Sequence, residues 1–241
     1  MPVSHTIEDA ICTITIDRPQ RRNALNLEAL NELDAALDAA SGASSIAVVL
    51  TGSAGHFCAG ADLSELEDLA FTVRLREVLD RLIDYPGVTI AAISGACMGL
   101  GMQLASACDV RVVDHDAKFA IHVAKLGLMV DRATLQRVGE LFGSSAARQM
   151  IFAAEVLGVE DAHRYGFAQY LGDLSVAHEL ATRITTLAPL SIIGSKHGLN
   201  RLHLAEDLDY QVAFETAWAS SDLAEGQRAF AERRPPKFTG H

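Results

Sequence analysis

GACMGLGMQLASACD, residues 95–109, sets a glycine-rich turn at the mouth of a short apolar helix. With little side-chain bulk around the helix start, main-chain N–H groups can point outward unobstructed, a common way to hold an anion or an oxyanion. The preceding residues, VTIAAIS at 88–94, form an unbroken apolar run and read as a buried strand. The same unit occurs once before. IAVVLTG at 46–52 is a second buried strand, and HFCAGADL at 56–63 is a second small-residue turn running into a helix. A strand, small-residue turn and helix used twice predict an α/β fold with two exposed main-chain turns.

Reading outward, AICTITI at 10–16 is β-branched and bounded by Asp17, Arg18 and Pro19, a strand that ends in a turn. Asn26 caps a predicted helix to about Ala40, with Leu27, Leu30, Leu33 and Leu37 on one stripe. A second long helix is predicted from about Ser64 to Asp84, with Leu66, Leu69 and Val73 facing inward and Pro86 stopping it. DVRVV at 109–113 and KFAI at 118–121 give two short strands, after which helical patterns dominate. The last amphipathic helices are predicted over 190–204 and 206–232 and carry Phe214, Trp218 and Phe230. Such aromatics fit a partner interface and home-core packing equally.

The 241 residues, 49% hydrophobic and 21% charged, are ample for one large core and require no second independent domain. A net charge of −11 disfavours nucleic acid or an anionic membrane as the main partner. Two basic clusters stand against that background, Arg18, Arg21 and Arg22 near the start and Arg233, Arg234 and Lys237 near the end. Cys12, Cys58, Cys97 and Cys108 lack CxxC or Cys/His metal spacing and read as buried reduced thiols. MPVSHTIEDA has no secretory character and no stretch is long enough to span a bilayer, so a cytoplasmic protein is expected.

ITIDRPQRRNALN at 14–26, HFCAGADL at 56–63, ISGACMGLGMQLASACDVRVV at 93–113 and EGQRAFAERRPPKF at 225–238 resemble, in order and spacing, the landmarks of the crotonase superfamily, the enoyl-CoA hydratase/isomerase group. GLGMQL and the RRPPKF ending are similar to a mycobacterial-type paralogue group. The resemblance implies a crotonase spiral of repeated ββα units over 1–189 holding an acyl-CoA site. It also implies a C-terminal helical region, 190–241, that builds a homotrimer or a dimer of trimers. The ligand implied is an acyl-CoA thioester, with no further cofactor and no metal. By the same resemblance the N–H groups of Ala61 and Leu100 form the oxyanion hole. Arg22, Ala24, Ala59, Ala61, Asp62 and Leu63 fall in the CoA-binding region, and Phe230 and Arg233 match positions that reach the CoA of a neighbouring subunit. Leu100 stands where glycine is common, which leaves its N–H usable as long as its φ is negative.

The pattern breaks at the acid–base pair. The two glutamates of the family's hydratases fall on Gln103 and Val123, and neither can move a proton at neutral pH. Asp131 falls where the dienoyl-CoA isomerase and 4-chlorobenzoyl-CoA dehalogenase branches carry a catalytic aspartate, yet it also precedes RATLQRVGELF and reads as a helix N-cap. His56 and His122 read as structural, and strand alternation in KFAIHV would send His122 and Val123 to opposite faces. Asp62 reads as a support for its turn and Cys58 as packing. Two functions follow as expectations: an acyl-CoA-binding protein of fatty-acid metabolism, nominally an enoyl-CoA hydratase with weak or absent hydration, or an enoyl-CoA isomerase with Asp131 as base.

Overall fold

The computed structural model describes residues 1–62, 69–201 and 207–241. Strands β1 (Val3–Glu8) and β2 (Ile11–Ile16) form an antiparallel hairpin, closed by Asp9 and Ala10 at positive φ. β2 then starts a parallel run through β3 (Ala47–Gly52), β4 (Val88–Ile93), β6 (Val110–Val113) and β8 (Tyr170–Leu171). The sheet order is β1-β2-β3-β4-β6-β8. The two repeated apolar runs lie side by side in it, with Ala47 paired to Val88 and Leu50 to Ala91.

A second, shorter layer follows the first. β5 (Ala96–Met98) pairs with β7 (Lys118–Ala120), and single bridges join Cys58 to Cys97 and Leu25 to Ala61. Each long strand therefore turns into a short extended segment of this second layer before its helix, which is the ββα repeat of a spiral. Helix α1 (Leu27–Gly42) is capped by the Asn26 side chain on the Ala29 N–H and buries Leu30, Leu33 and Leu37. Helix α2 (Leu69–Ile83) buries Phe71, Val78, Leu79 and Leu82. Val73, expected to face inward, is instead 51% exposed, because two residues on from Phe71 it stands on the far side of the helix from the buried stripe through Phe71, Val78 and Leu82. The expected start of this helix near Ser64 and its Leu66 lie outside the described residues.

Helix α3 (Leu100–Ala107) is short and nearly all buried. Its far end is fixed by Arg111, a fully buried guanidinium whose Nη1 donates to the carbonyls of Cys108 at 2.8 Å and Ala105 at 3.3 Å. A cation on the last carbonyls complements the helix dipole. Burial pushes the Arg111 pKa down to about 10, far enough from neutrality to keep the charge. Helix α4 (Arg132–Phe152) bends at Gly143, whose φ of 77° is not helical, and its Phe142 joins Phe119 and Phe167 in a buried aromatic cluster.

Helices α5 (Val159–Arg164), α6 (Leu174–Thr185), α7 (Pro189–Asn200), α8 (Leu208–Ala219) and α9 (Ser221–Glu232) complete the chain. The single helix expected over 206–232 is two, broken at Ser220, which has extended φ and ψ. Phe214, Trp218 and Phe230 stay on the surface, Phe230 at 88% exposure. All four cysteines are free and buried, and burial pushes the thiols up, Cys12 to about 11 and Cys58 and Cys108 to about 12. Among the described residues no helix is long and apolar enough to cross a membrane.

Candidate functional site

The two glycine-bearing turns meet at one cavity of about 360 Å³. One side of it is main chain, formed by Ala59, Gly60, Ala61, Gly99 and Leu100. In the Leu25–Ala61 bridge, Leu25 N–H donates to Gly60 O at 2.9 Å and Asp62 N–H to Leu25 O at 2.7 Å. A parallel bridge uses the groups on either side of the bridged residue, so the Ala61 N–H points away from Leu25, to the cavity side. Leu100 is the first residue of α3, where a helix has no internal acceptor for its N–H. The left-handed backbone of this turn falls on Gly99, with φ of 51°, and Leu100 is not among the positive-φ residues. Leucine at 100 therefore leaves the donor in place. Among the described residues neither N–H has a main-chain acceptor.

Buried contacts lock these turns together. Asn23, fully buried, accepts from Arg18 N–H at 2.8 Å and donates to Ser53 O at 2.9 Å and His56 O at 2.6 Å. Arg18 pairs with Asp62 at 3.2 Å and also donates to Ala24 O, so Asp62 supports its turn as expected. His56 is structural too, its Nδ1 accepting from the Ala96 N–H at 3.2 Å. The Cys58 thiol, made inert by burial, lies 3.5 Å from Gly60 O. Nothing in the local pattern of RRNALN marks Asn23 as the organiser, because two of its three partners lie about thirty residues away.

The other side of the cavity is side chain. Phe71, Leu75 and Leu79 of α2 face Val123, Leu128 and Val130. Gln103 also lines it, and its buried Oε1 has no hydrogen-bond partner among the described residues. The expectation that His122 and Val123 diverge is overturned, since both line the cavity. β7 ends at Ala120 and a 3-10 turn runs Val123–Leu126, so strand alternation does not extend that far. His122, read from sequence as structural, is thus a titratable group on the cavity wall.

Asp131 reaches the cavity edge but is occupied. It is the N-cap of α4, accepting from Thr134 N–H at 3.1 Å and Thr134 Oγ1 at 2.6 Å, and it lies 3.3 Å from Arg76 Nη1. Partial burial works to raise its pKa, but the Thr134 bonds and the Arg76 charge outweigh that and hold it below the usual aspartate value. This is a poor base at neutral pH.

The remaining expected ligand residues are placed as follows. Arg22 is exposed at the left-handed end of a 3-10 turn, Pro19–Arg21, and its carbonyl accepts from Ala59 N–H at 3.0 Å. Ala24 lies beside it, its carbonyl held by Arg18. Leu63 lies outside the described residues. Phe230 and Arg233 are not on this cavity of the same chain, and Arg234 is tied to Glu225 and Glu232. One His/Asp grouping, His197, Asp207 and Asp209, sits in the C-terminal helices, with the Arg201 guanidinium 3.1 Å from His197 Nε2.

Residues 6–241 match the family model "Enoyl-CoA hydratase/isomerase". The "Probable enoyl-CoA hydratase echA6" of Mycobacterium tuberculosis is 41% identical over 98% of each chain, and the mouse "Methylglutaconyl-CoA hydratase, mitochondrial" is 31% identical over 99% of this chain and 83% of its own. The crystal structure of an enoyl-CoA hydratase/carnithine racemase from Magnetospirillum magneticum superposes with a TM-score of 0.91 at 28% identity, covering 100% of this chain and 96% of the other. An enoyl-CoA hydratase from M. tuberculosis H37Rv superposes at 0.87 with 30% identity, covering 100% and 99%. With its spiral of ββα units and this match along nearly its whole length, the chain belongs to the enoyl-CoA hydratase/isomerase family of the crotonase superfamily.

Proposed function

We propose that the protein captures acyl-CoA thioesters of fatty-acid metabolism and has little or no hydratase activity. The observation that carries this reading is the composition of the cavity: main-chain donors at Ala61 and Leu100, and no unengaged carboxylate among its described residues. A thioester oxygen held by two fixed N–H groups is stabilised without reorganisation, each donor being worth about 3 kcal/mol when negative charge develops. Hydration needs a second element, a base for water and an acid for carbon. Gln103 has no useful basicity and Val123 offers only apolar surface. Each missing group costs about 10² to 10⁴-fold in rate.

The CoA head lies along Arg22, Ala24, Ala59 and Asp62, with the exposed Arg22 as the cation for its phosphates. Phe230 and Arg233 contact the CoA of a neighbouring subunit in a homotrimer or a dimer of trimers, which gives the exposed aromatics of α8 and α9 an occupant. A cytoplasmic location agrees with buried reduced thiols.

Isomerisation with Asp131 as base is the second reading, favoured by the placement of this carboxylate at the cavity edge. Its cap bonds and its lowered pKa weigh against it. Calorimetric titration with acyl-CoAs, beside assays of crotonyl-CoA hydration and 3-enoyl-CoA isomerisation, separates the readings. Tight binding without turnover is expected. Hydration at the rate of a two-glutamate hydratase overturns the proposal, and isomerisation abolished by Asp131→Asn establishes the second reading instead.

A further inference from the structure

The far end of α3 lies on an open cleft of about 770 Å³ between α7 and α4. Ser106 and Cys108 line this cleft, whereas Leu100 and Gln103 line the first cavity, and no residue lines both. Much of its wall is apolar, through Val110, Leu141, Leu187, Ile192 and Phe238. Its charged residues are Asp109, Arg111, Arg137 and Lys196, three cations to one carboxylate. The carboxylate is spent. Asp109 Oδ2 accepts from Lys196 Nζ at 2.7 Å, Thr89 N–H at 2.8 Å and Thr89 Oγ1 at 2.9 Å. Arg111 is spent too, on the carbonyls that close α3 and on Phe167 O. Arg137 is not. Among the described residues its hydrogen bonding is one long contact, Nη1 to Ser106 O at 3.4 Å, and no carboxylate reaches it, on a chain with 31 acidic residues to 20 basic. A helix-end role does not account for this guanidinium, since Arg111 already holds the last carbonyls of α3. Burial comes first in lowering the Arg111 pKa, and the Arg137 charge works in the same direction. On the same wall Ser106 is 1% exposed, and its Oγ has no hydrogen-bond partner among the described residues. An unspent cation and an unmet hydroxyl thus stand together beside apolar surface.

We propose that this cleft binds a small amphipathic carboxylate, its head on the Arg137 guanidinium with the Ser106 hydroxyl as second donor, and its hydrocarbon or ring between α7 and Leu141. A guanidinium offers paired donors that match a carboxylate, and a serine hydroxyl is re-aimed by one torsion. A phosphate dianion fits less well, because it meets one unspent cation and apolar walls that strip its water. The ligand would bear on the same helix whose first residue carries the Leu100 N–H, about 12 Å along its axis. The site does not depend on the reading of the first cavity.

The test is calorimetric titration of octanoate, with octanamide as its uncharged isostere and inorganic phosphate as a bare anion, into the full chain and its Arg137→Gln and Arg137→Lys variants. Arg137 is half-buried with one long bond, so glutamine is expected to leave fold and assembly intact. Octanoate is expected to bind the wild type, to weaken roughly 10- to 100-fold in Arg137→Gln, the worth of a charged hydrogen bond, and to recover most of that in Arg137→Lys. Octanamide is expected to bind weakly and alike in all three. Ser106→Ala removes the unpaired hydroxyl and suits a helix, so it guards against misfolding of the glutamine variant, and it is expected to weaken octanoate by about fivefold. Octanoate that does not bind the wild type, or whose affinity is unchanged in Arg137→Gln or in Ser106→Ala, overturns the site. Phosphate that binds as tightly as octanoate overturns the amphipathic ligand. A change of assembly size in Arg137→Gln, read by light scattering, also overturns the proposal and assigns the cleft to a subunit contact.

Discussion

The two sides of the cavity are built on opposite principles. The side formed by Ala59–Ala61 and Gly99–Leu100 is main chain, joined to the rest of the fold by strand bridges and by a buried asparagine with three hydrogen bonds. The side formed by 123–130 is a short turn with uncovered apolar side chains, backed by an open groove against α4. A main-chain donor set depends on backbone placement and tolerates changes of side chain, which is why leucine at 100 leaves its N–H in place. A side-chain wall can change chemistry without disturbing the frame. On the proposed reading, the difference explains how thioester capture is kept while glutamine and valine stand at 103 and 123.

The largest effect is expected where the frame is tightest. A Cβ on Gly101 would lie 2.2 Å from the carbonyl oxygen of Cys58, so Gly101→Ala must push α3 away from the first turn. A loss of about 3 kcal/mol in urea unfolding is expected, the upper end of overpacking costs, together with loss of acyl-CoA binding. Unchanged binding in a stable Gly101→Ala protein would break the claim that the two turns act as one rigid pair. Asn23→Ala comes next. It leaves the His56 carbonyl and the Arg18 N–H without the Asn23 side chain, while the Ser53 carbonyl keeps only the His56 N–H at 3.3 Å, and alanine is ill suited to the left-handed φ of 61°. A cost of about 2 kcal/mol is expected from denaturant titration.

The rigid side was largely legible in the sequence and the other side was not. Unbroken apolar runs placed β3 and β4, and the small residues of HFCAGADL and GACMGLGM placed both turns, because glycine is needed where backbones approach. The hairpin strand β1 gave no signal: of its six residues only Val3 is buried, so alternation is missing. β5 hid inside the small-residue turn. A period of two fails at His122 because the strand ends at Ala120. Asn23 and Arg111 were invisible for a different reason. Beside near neighbours, Asn23 also holds the Ser53 and His56 carbonyls and Arg111 the Phe167 carbonyl, and no local pattern encodes a bond to a residue thirty or fifty positions away.

Asp131 joins the two sides through α4, and its titration measures how firmly the cap is held. Its pKa is lowered in the folded chain, so its contribution to stability is present above the unfolded value of 3.8 and is lost as pH falls through the folded value. With the side chain 43% exposed, solvent screens the Arg76 pair, and the cap bond sets the scale. Asp131→Ala is expected to lose about 1 kcal/mol at neutral pH, while Asp131→Asn keeps most of the cap and loses the acid-dependent part. Unfolding followed from neutral pH down through pH 3 checks both; an Asn variant with the wild-type pH profile would show that the carboxylate is not held as a cap.

The smallest effect has the opposite sign. Gln103 stands on α3, three residues beyond the Leu100 donor, with its Oε1 buried and unpartnered. A buried acceptor without a donor costs stability, and replacing it with an apolar group of similar shape removes that cost. Gln103→Met is therefore expected to raise stability by up to about 1 kcal/mol in urea unfolding. Under the proposed reading, in which main chain holds the thioester oxygen, acyl-CoA affinity survives the same change. If Gln103→Met abolishes binding, the side-chain wall holds the ligand head as well, and the division between a fixed main-chain frame and a free wall fails. Raised stability with binding retained would mean that the amide is kept at a cost to the fold, for a contact that only the bound ligand completes.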